Sequence, residues 1–379
     1  MNQRRAIVTF ASNRGSEQKY IMRTDYAVGL LILTFCTSCF GWSTKEHILL
    51  TRLAAERLTA DSGTPPAMKE WLRQAAPDMM NADGERRFTL DIRIGVYPRG
   101  AVGLSFWSTV PDLIALSSRS GDAAAKVEPF GVPERLLHFV DLEYFCPDES
   151  RRIYADDLSS KPALNDIPRQ MTDPRWQRAG MLPFRIEQSF QEMIAQIRQG
   201  RLGDKPGQFP RDEHATKWAG MLAHYIEDNT QPHHATADYK SQAYFKDKLR
   251  SPNIHADMEY VLLDDDYHDY LPLREEFWAE LQQALTEPND PVQVDDTWVE
   301  SVEVLRTSYD ALPLIGHAAA AAYTREDGKW KFDADQFYHY QGAVAGKRMT
   351  IMRMKARQMA WAVQRVARLW RRAWETGRQ

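Results

Sequence analysis

His224-Tyr-Ile-Glu-Asp228-Asn-Thr-Gln-Pro232-His-His234 is the stretch on which the reading of this chain turns, together with His255-Ala-Asp-Met-Glu259. In each, an imidazole and a carboxylate stand four residues apart, which places both on one face of a helix, one turn apart. A single rigid element then presents two donors. Pro232 ends the first helix and swings His234 back toward the same cavity. One His and Asp pair at this spacing is as consistent with a surface hydrogen bond as with a metal site, but two pairs joined by a third imidazole predict a metal centre. Imidazole and carboxylate suit zinc, which they bind at about 2.0 to 2.2 Å, and a catalytic zinc keeps one position for water. The donor types alone also admit manganese or iron.

The string His224-x3-Asp228-x2-Gln231-Pro232-x-His234-Ala235 resembles the signature of the zinc-dependent phospholipase C and S1/P1 nuclease superfamily, and matching motifs run from residue 42 to 259. In that family the mature chain begins with a tryptophan whose amino group and carbonyl bind metal, and Gly41-Trp42-Ser43-Thr44-Lys45-Glu46-His47 is similar to that start. The family's middle aspartate and histidine are matched by Asp112 in Val110-Pro111-Asp112 and by His138 in Leu136-Leu137-His138-Phe139-Val140-Asp141. The resemblance implies three zinc ions. Asp112, His138, His224 and Asp228 would hold the first; His234, His255 and Glu259 the second; Trp42, His47 and a shared Asp228 the third. It further implies that Asp112 accepts a proton from the attacking water, and Asp141 and Glu227 are plausible partners for orienting the ligating imidazoles.

Other polar residues have simpler readings. His233 occupies a position where the family carries an apolar residue and is left out of the ligand set. His214, His268, His317 and His339 have no family counterpart. Asp264-Asp265-Asp266 lacks the regular oxygen spacing and the glycine of a calcium loop, and is read as solvated. Asp112 is placed on a loop, with no periodic support.

The chain is overwhelmingly helical in its patterning. Ser43-x-x-Glu46 forms a capping box ahead of Ile48, Leu49, Leu53 and Leu58, predicting a first helix of about 18 residues with His47 in its opening turn. Further helices are predicted over 66–76, 183–199, 213–229, 255–263, 275–286, 297–311 and 335–375, separated by loops over 77–102, 117–134, 146–174 and 201–212. No repeat or composition shift marks a second domain. The expectation is an all-α fold: one compact helical domain, 42–379, of the phospholipase C/P1 nuclease type, with long loops around a trinuclear zinc cleft.

Residues 26–40 are apolar but shorter than the roughly 20 residues a bilayer span needs. With Arg23 ahead of them and Cys39-Phe40-Gly41 as a cleavage site, residues 1–41 read as a secretory signal whose removal exposes Trp42, with Met22 as an alternative start. Cys36 and Cys39 would leave with it, and Cys146 alone would remain. The expected location is secreted or periplasmic, the alternative being an envelope lipoprotein using Cys36 or Cys39. The whole chain carries a formal charge of −4; taking away the five basic and two acidic residues of 1–41 leaves 43 basic against 50 acidic. That balance does not favour nonspecific nucleic-acid binding, which needs Lys and Arg on phosphates, although bound cations would reverse the sign inside the cleft.

A metal-activated water attacking phosphorus in line is the chemistry such a centre supports, so the expected partner is a phosphodiester, either phospholipid or single-stranded nucleic acid. Glu259 in the last ligand position, Pro111 before Asp112 and Leu113-Ile114-Ala115 after it resemble the phospholipases. The five-residue step from Trp42 to His47, Leu182-Pro-Phe-Arg-Ile-Glu187 and Asn253-Ile-His255 look more like the nucleases. The balance leans to lipid. A metal-binding protein on a degenerate scaffold stays open, as does an envelope protein acting through its basic tail. In that tail, Met352, Met359, Val363, Val366, Trp370 and Trp374 recur at helical spacing among arginines, which fits peripheral membrane contact or, on this pattern alone, docking onto the bundle. No obligate protein partner is evident.

Overall fold

The computed structural model describes residues 42–74, 109–118, 134–145, 179–203, 214–263, 270–287, 292 and 294–379. These all lie in one compact unit, Phe40–Gln379. The signal over 1–41, Cys146, the Asp264–Asp266 run and most of the predicted long loops lie outside the described residues.

Helix α1, Thr44–Ala60, starts where the capping box places it. The Ser43 hydroxyl accepts from the Glu46 amide at 3.2 Å and Glu46 Oε2 accepts from the Ser43 amide at 3.0 Å, so two otherwise orphaned donors are satisfied. Then come α2 (Pro66–Arg73), α3 (Val110–Ser118), α4 (Leu182–Arg198), α5 (Ala215–Thr230), α6 (Ile254–Tyr260), α7 (Leu271–Thr286), α8 (Thr297–Tyr309) and α9 (Leu312–Ala322). Asp112 therefore sits in the first turn of α3 and not on a loop.

The chain then departs from the single helix expected over 335–375. A hairpin pairs β1 (Tyr323–Glu326) with β2 (Lys329–Phe332); α10 (Ala334–His339) follows; a second hairpin pairs β3 (Gln341–Val344) with β4 (Lys347–Thr350); and only then does α11 run, from Ile351 to Arg378. Each hairpin turns on two residues with positive φ, Asp327-Gly328 at 50° and 78° and Ala345-Gly346 at 47° and 77°. That backbone matches the twist of paired strands and cannot continue a helix.

α5 is the centre of the bundle, packed against α1, α3, α4, α8 and α11. Gly220 lets α3 come close: a Cβ there would stand 2.5 Å from the Ile114 carbonyl oxygen and from Ser117 Cβ. α11 covers α1, α4, α5 and α7, and its Met352, Met359, Val363, Val366, Trp370 and Trp374 are buried. Trp374 stacks on Trp71 with ring centroids 5.3 Å apart, and Trp370 Nε1 donates to the Ala219 carbonyl at 3.0 Å. Its outer arginines reach acidic partners: Arg353 pairs with Glu280 and Glu287, Arg368 with Glu300, and Arg371 with Asp61. The apolar stripe of the tail is thus core. Among the described residues no helix is long and apolar enough to cross a membrane.

Candidate metal centre

Because α5 is buried on nearly every side, its last two turns carry polar groups into the protein interior. His224, Glu227, Asp228 and Thr230 are each 0% exposed. Asp228 is the hub. Its Oδ2 lies 2.8 Å from His138 Nδ1 and 3.3 Å from His224 Nε2, and its Oδ1 lies 3.4 Å from His47 Nε2. His138 Nδ1 and His224 Nε2 are 3.1 Å apart. The other nitrogen of the His47 ring, Nδ1, is held at 2.6 Å by Glu227, whose second oxygen accepts from the Thr51 hydroxyl at 2.9 Å. Thr51 and His47 are one turn apart on α1, so a single helix face meets a single carboxylate. Glu227 is thus in contact with His47, one of the imidazoles expected to bind metal.

Beyond Thr230 the chain cannot stay helical, because Pro232 supplies no amide hydrogen. Gln231 caps a short 3-10 turn, Pro232–Ala235, by accepting from the His233 amide at 2.6 Å. The turn aims His234 at α6, where His255 and Glu259 share a face. His255 Nε2 contacts Glu259 Oε1, and His234 Nε2 lies 4.0 Å from that same oxygen. Gln231 Nε2 donates to it at 2.8 Å. His234 Nδ1 donates to the His138 main-chain carbonyl at 2.5 Å, so a backbone oxygen holds that ring.

Two groups of donors therefore form. One ligand atom from each of His47, His224 and Asp228 lies within 4.8 Å of the others, and the same holds for His234, His255 and Glu259. All six residues are buried. Their chemistry fits a divalent cation: each group sets two imidazoles against one carboxylate in the interior, the nitrogen and oxygen donors that zinc takes. His47 Nε2 and Asp228 Oδ1 face each other at 3.4 Å, both fully buried. Buried His/Asp/Glu groups that can bind a metal ion are thus present, and the second matches the composition implied for one zinc.

The remaining expected ligands stand differently. His138 stands beside the first group, its Nδ1 2.8 Å from Asp228 Oδ2 and 3.1 Å from His224 Nε2. Trp42 is fully buried, with its indole Nε1 donating to the Thr230 hydroxyl at 3.1 Å. Asp112 joins neither group among the described residues; its Oδ2 accepts from the Thr109 amide at 2.9 Å and hydroxyl at 2.6 Å, and its Oδ1 faces Arg52 Nη1 at 3.2 Å. His233, left out of the ligand set, is buried beside His255 with ring centroids 5.2 Å apart.

The electrostatics follow from packing. Burial pulls the His47 pKa down, but hydrogen bonds and charge attraction from Asp228 and Glu227 outweigh it and hold the imidazolium form well above its ordinary range. Burial drives His224 well below its usual value, against the pull of Asp228 and with help from the neighbouring imidazoles. Asp228 would be pushed up by burial, yet the surrounding histidines keep it well below the ordinary carboxylate range. Glu227 is raised by burial in spite of its bonds to His47 and Thr51.

Behind His234, Glu143 ties the next segment down. Its Oε1 accepts from the Thr236 hydroxyl at 2.5 Å and the Tyr309 hydroxyl at 3.0 Å, and its Oε2 accepts from the Ala237 amide at 3.1 Å. Burial, and secondarily the Glu143 charge, push the Asp141 carboxyl up to about 8. A raised carboxyl keeps in the folded state a proton that the unfolded chain releases from about pH 4 upward, so stability falls between about pH 4 and 8. Asp141→Asn removes that dependence. Thermal unfolding should show it more stable than wild type by about 1–2 kcal/mol at pH 7, allowing for partial solvent access, and equal near pH 4; a variant less stable at pH 7 contradicts the assignment.

Comparison with protein-family models, with curated proteins and with solved structures found no match to this chain. The site stands on its own geometry.

Proposed function

We propose that this chain is a zinc-dependent phosphoric diester hydrolase and, within that class, that it cleaves head groups from phospholipids in the manner of a phospholipase C. The observation that carries the reading is the convergence of His47, His224 and Asp228, and of His234, His255 and Glu259, from separate helices into two buried donor groups. A bound divalent cation there supplies a water of pKa about 7 and charge to offset a phosphate in the transition state. The protein's own residues bind and orient. Asp228 draws three imidazoles around one carboxylate, Glu227 and the His138 carbonyl fix the rings of His47 and His234, and Gln231 holds Glu259. Two donor groups on one rigid bundle suit a diester, whose two non-bridging oxygens need partners at once.

The lipid preference rests on Glu259, Pro111 and Leu113-Ile114-Ala115, and an S1/P1-type single-strand nuclease is the alternative at the same site. A third reading, a metal-binding protein without turnover, is favoured by Asp112, which is engaged by Thr109 and Arg52. Parallel assays of the form beginning at Trp42, loaded with zinc, on phosphatidylcholine vesicles and on single-stranded DNA separate the three. Release of the phosphorylated head group faster than nucleotide is the expected result. Full zinc content with no hydrolysis of either substrate, or of bis-p-nitrophenyl phosphate, establishes the binding reading instead.

A further inference from the structure

Lys355 is a lysine in the apolar stripe of α11, and its side chain is 0% exposed. Its Nζ pairs with Glu46 Oε1 at 2.5 Å, donates to the Met258 main-chain carbonyl at 2.5 Å, and stands 5.3 Å from the Trp42 ring centre and 5.8 Å from that of Phe277. Glu46 is equally buried and uses its other oxygen to close the capping box with Ser43. Met258 lies between His255 and Glu259, in the last turn of α6, where helical carbonyls lack intrahelical partners and a cation is favoured. The Tyr338 hydroxyl donates to the same carbonyl at 3.5 Å.

We infer that Lys355 is a positioning residue that locks the start of α1 to the end of α6, so that His47 in one donor group and His255 with Glu259 in the other keep their relative places. Taking an ammonium and a carboxylate wholly out of water is expensive, and an apolar pair of like volume would serve packing as well or better. What an apolar pair cannot do is bond the Met258 carbonyl and hold the capping carboxylate together. α6 has only seven residues, too few to be helical unaided, so the placement of its two donors depends on what grips its backbone.

The inference rests on the metal reading above, and the test separates the two. Lys355→Met alone leaves Glu46 buried and unpaired, so the decisive protein is the double variant Glu46→Leu/Lys355→Met, which removes both charges. Circular dichroism and thermal unfolding report its fold, and competition with a chromophoric chelator reports zinc affinity. A folded double variant with zinc affinity weakened about 10- to 100-fold, the usual consequence of losing a partner that orients ligands, is the expected result. Lys355→Gln, which keeps a donor without the charge, should show a smaller loss in the same direction and provides the reading if the double variant does not fold. Wild type that binds zinc, with a folded variant that binds it equally well, overturns the positioning role alone. Wild type that binds no zinc overturns the metal reading and this inference with it.

Discussion

Asp228→Ala should empty the first donor group, that of His47, His224 and Asp228, of zinc and cut hydrolysis with it. Three imidazoles, those of His47, His138 and His224, close on this one carboxylate. Removing partners that merely orient a ligand costs roughly 10- to 100-fold in metal affinity or activity, so losing the shared ligand itself should cost at least about 100-fold in each. The protein should also be less stable without metal. Asp228 and Glu227 both face the buried His47 ring, and removing one member of a buried charge pair typically costs about 3–5 kcal/mol. Zinc content by mass spectrometry, turnover of bis-p-nitrophenyl phosphate and urea unfolding in chelator measure the three effects. Glu303→Ala, which breaks an outer pair with Arg306, is the control and should stay within about 1 kcal/mol. An Asp228→Ala protein with full zinc and turnover would show that the convergence of imidazoles is only packing.

The second large effect is removal of the metal from the unaltered protein. The donors come from α1, α5, the Pro232–Ala235 turn and α6, elements far apart in sequence that the unfolded chain cannot bring together. Binding energy is then folding energy. With free zinc at about 1,000 times the dissociation constant, each site adds about 4 kcal/mol, or about 6 °C in melting temperature for a folded body of this size. Dialysis against a chelator at pH 7 should lower the melting temperature by at least that amount, and zinc should restore it. The dependence on pH has a definite sign. His47 must lose its proton to accept a cation, so zinc affinity should fall as pH drops and zinc uptake should release protons. A melting temperature indifferent to chelator and zinc across pH 6 to 8 would contradict this.

Much of the candidate metal site is legible in local spacing, because helices bring residues four apart onto one face. That rule paired His224 with Asp228 and His255 with Glu259, the capping box put His47 in the opening turn of α1, and Pro232 gave a mechanical reason for His234 to turn inward. Glu227 was visible as a neighbour on α5. Its actual contacts with His47 and Thr51 were not, since they join residues about 180 positions apart. The contacts of Asp112 were not legible either: the motif named the residue, and only the fold shows Thr109 and Arg52 beside it.

The C-terminal third was less legible. Over 335–375 the periodicity of α11 runs on in the sequence across Ala345-Gly346, where a pair with positive φ makes a hairpin instead. Asp327-Gly328 was the stronger turn signal and lay in a stretch where no helix had been expected. Lys355 was hidden for a different reason: in an apolar stripe, a lysine looks like an error in the pattern. Its partners, Glu46 and the Met258 carbonyl, come together only in three dimensions.

Anomalous diffraction at the zinc edge, from crystals of the form beginning at Trp42 grown with zinc, tests the central claim most directly. The account predicts one strong peak bounded by His47, His224 and Asp228 and another bounded by His234, His255 and Glu259, each at about 2.0 to 2.2 Å from its donors. Ordered side chains at both places with no anomalous density, in a protein saturated with zinc, would contradict it.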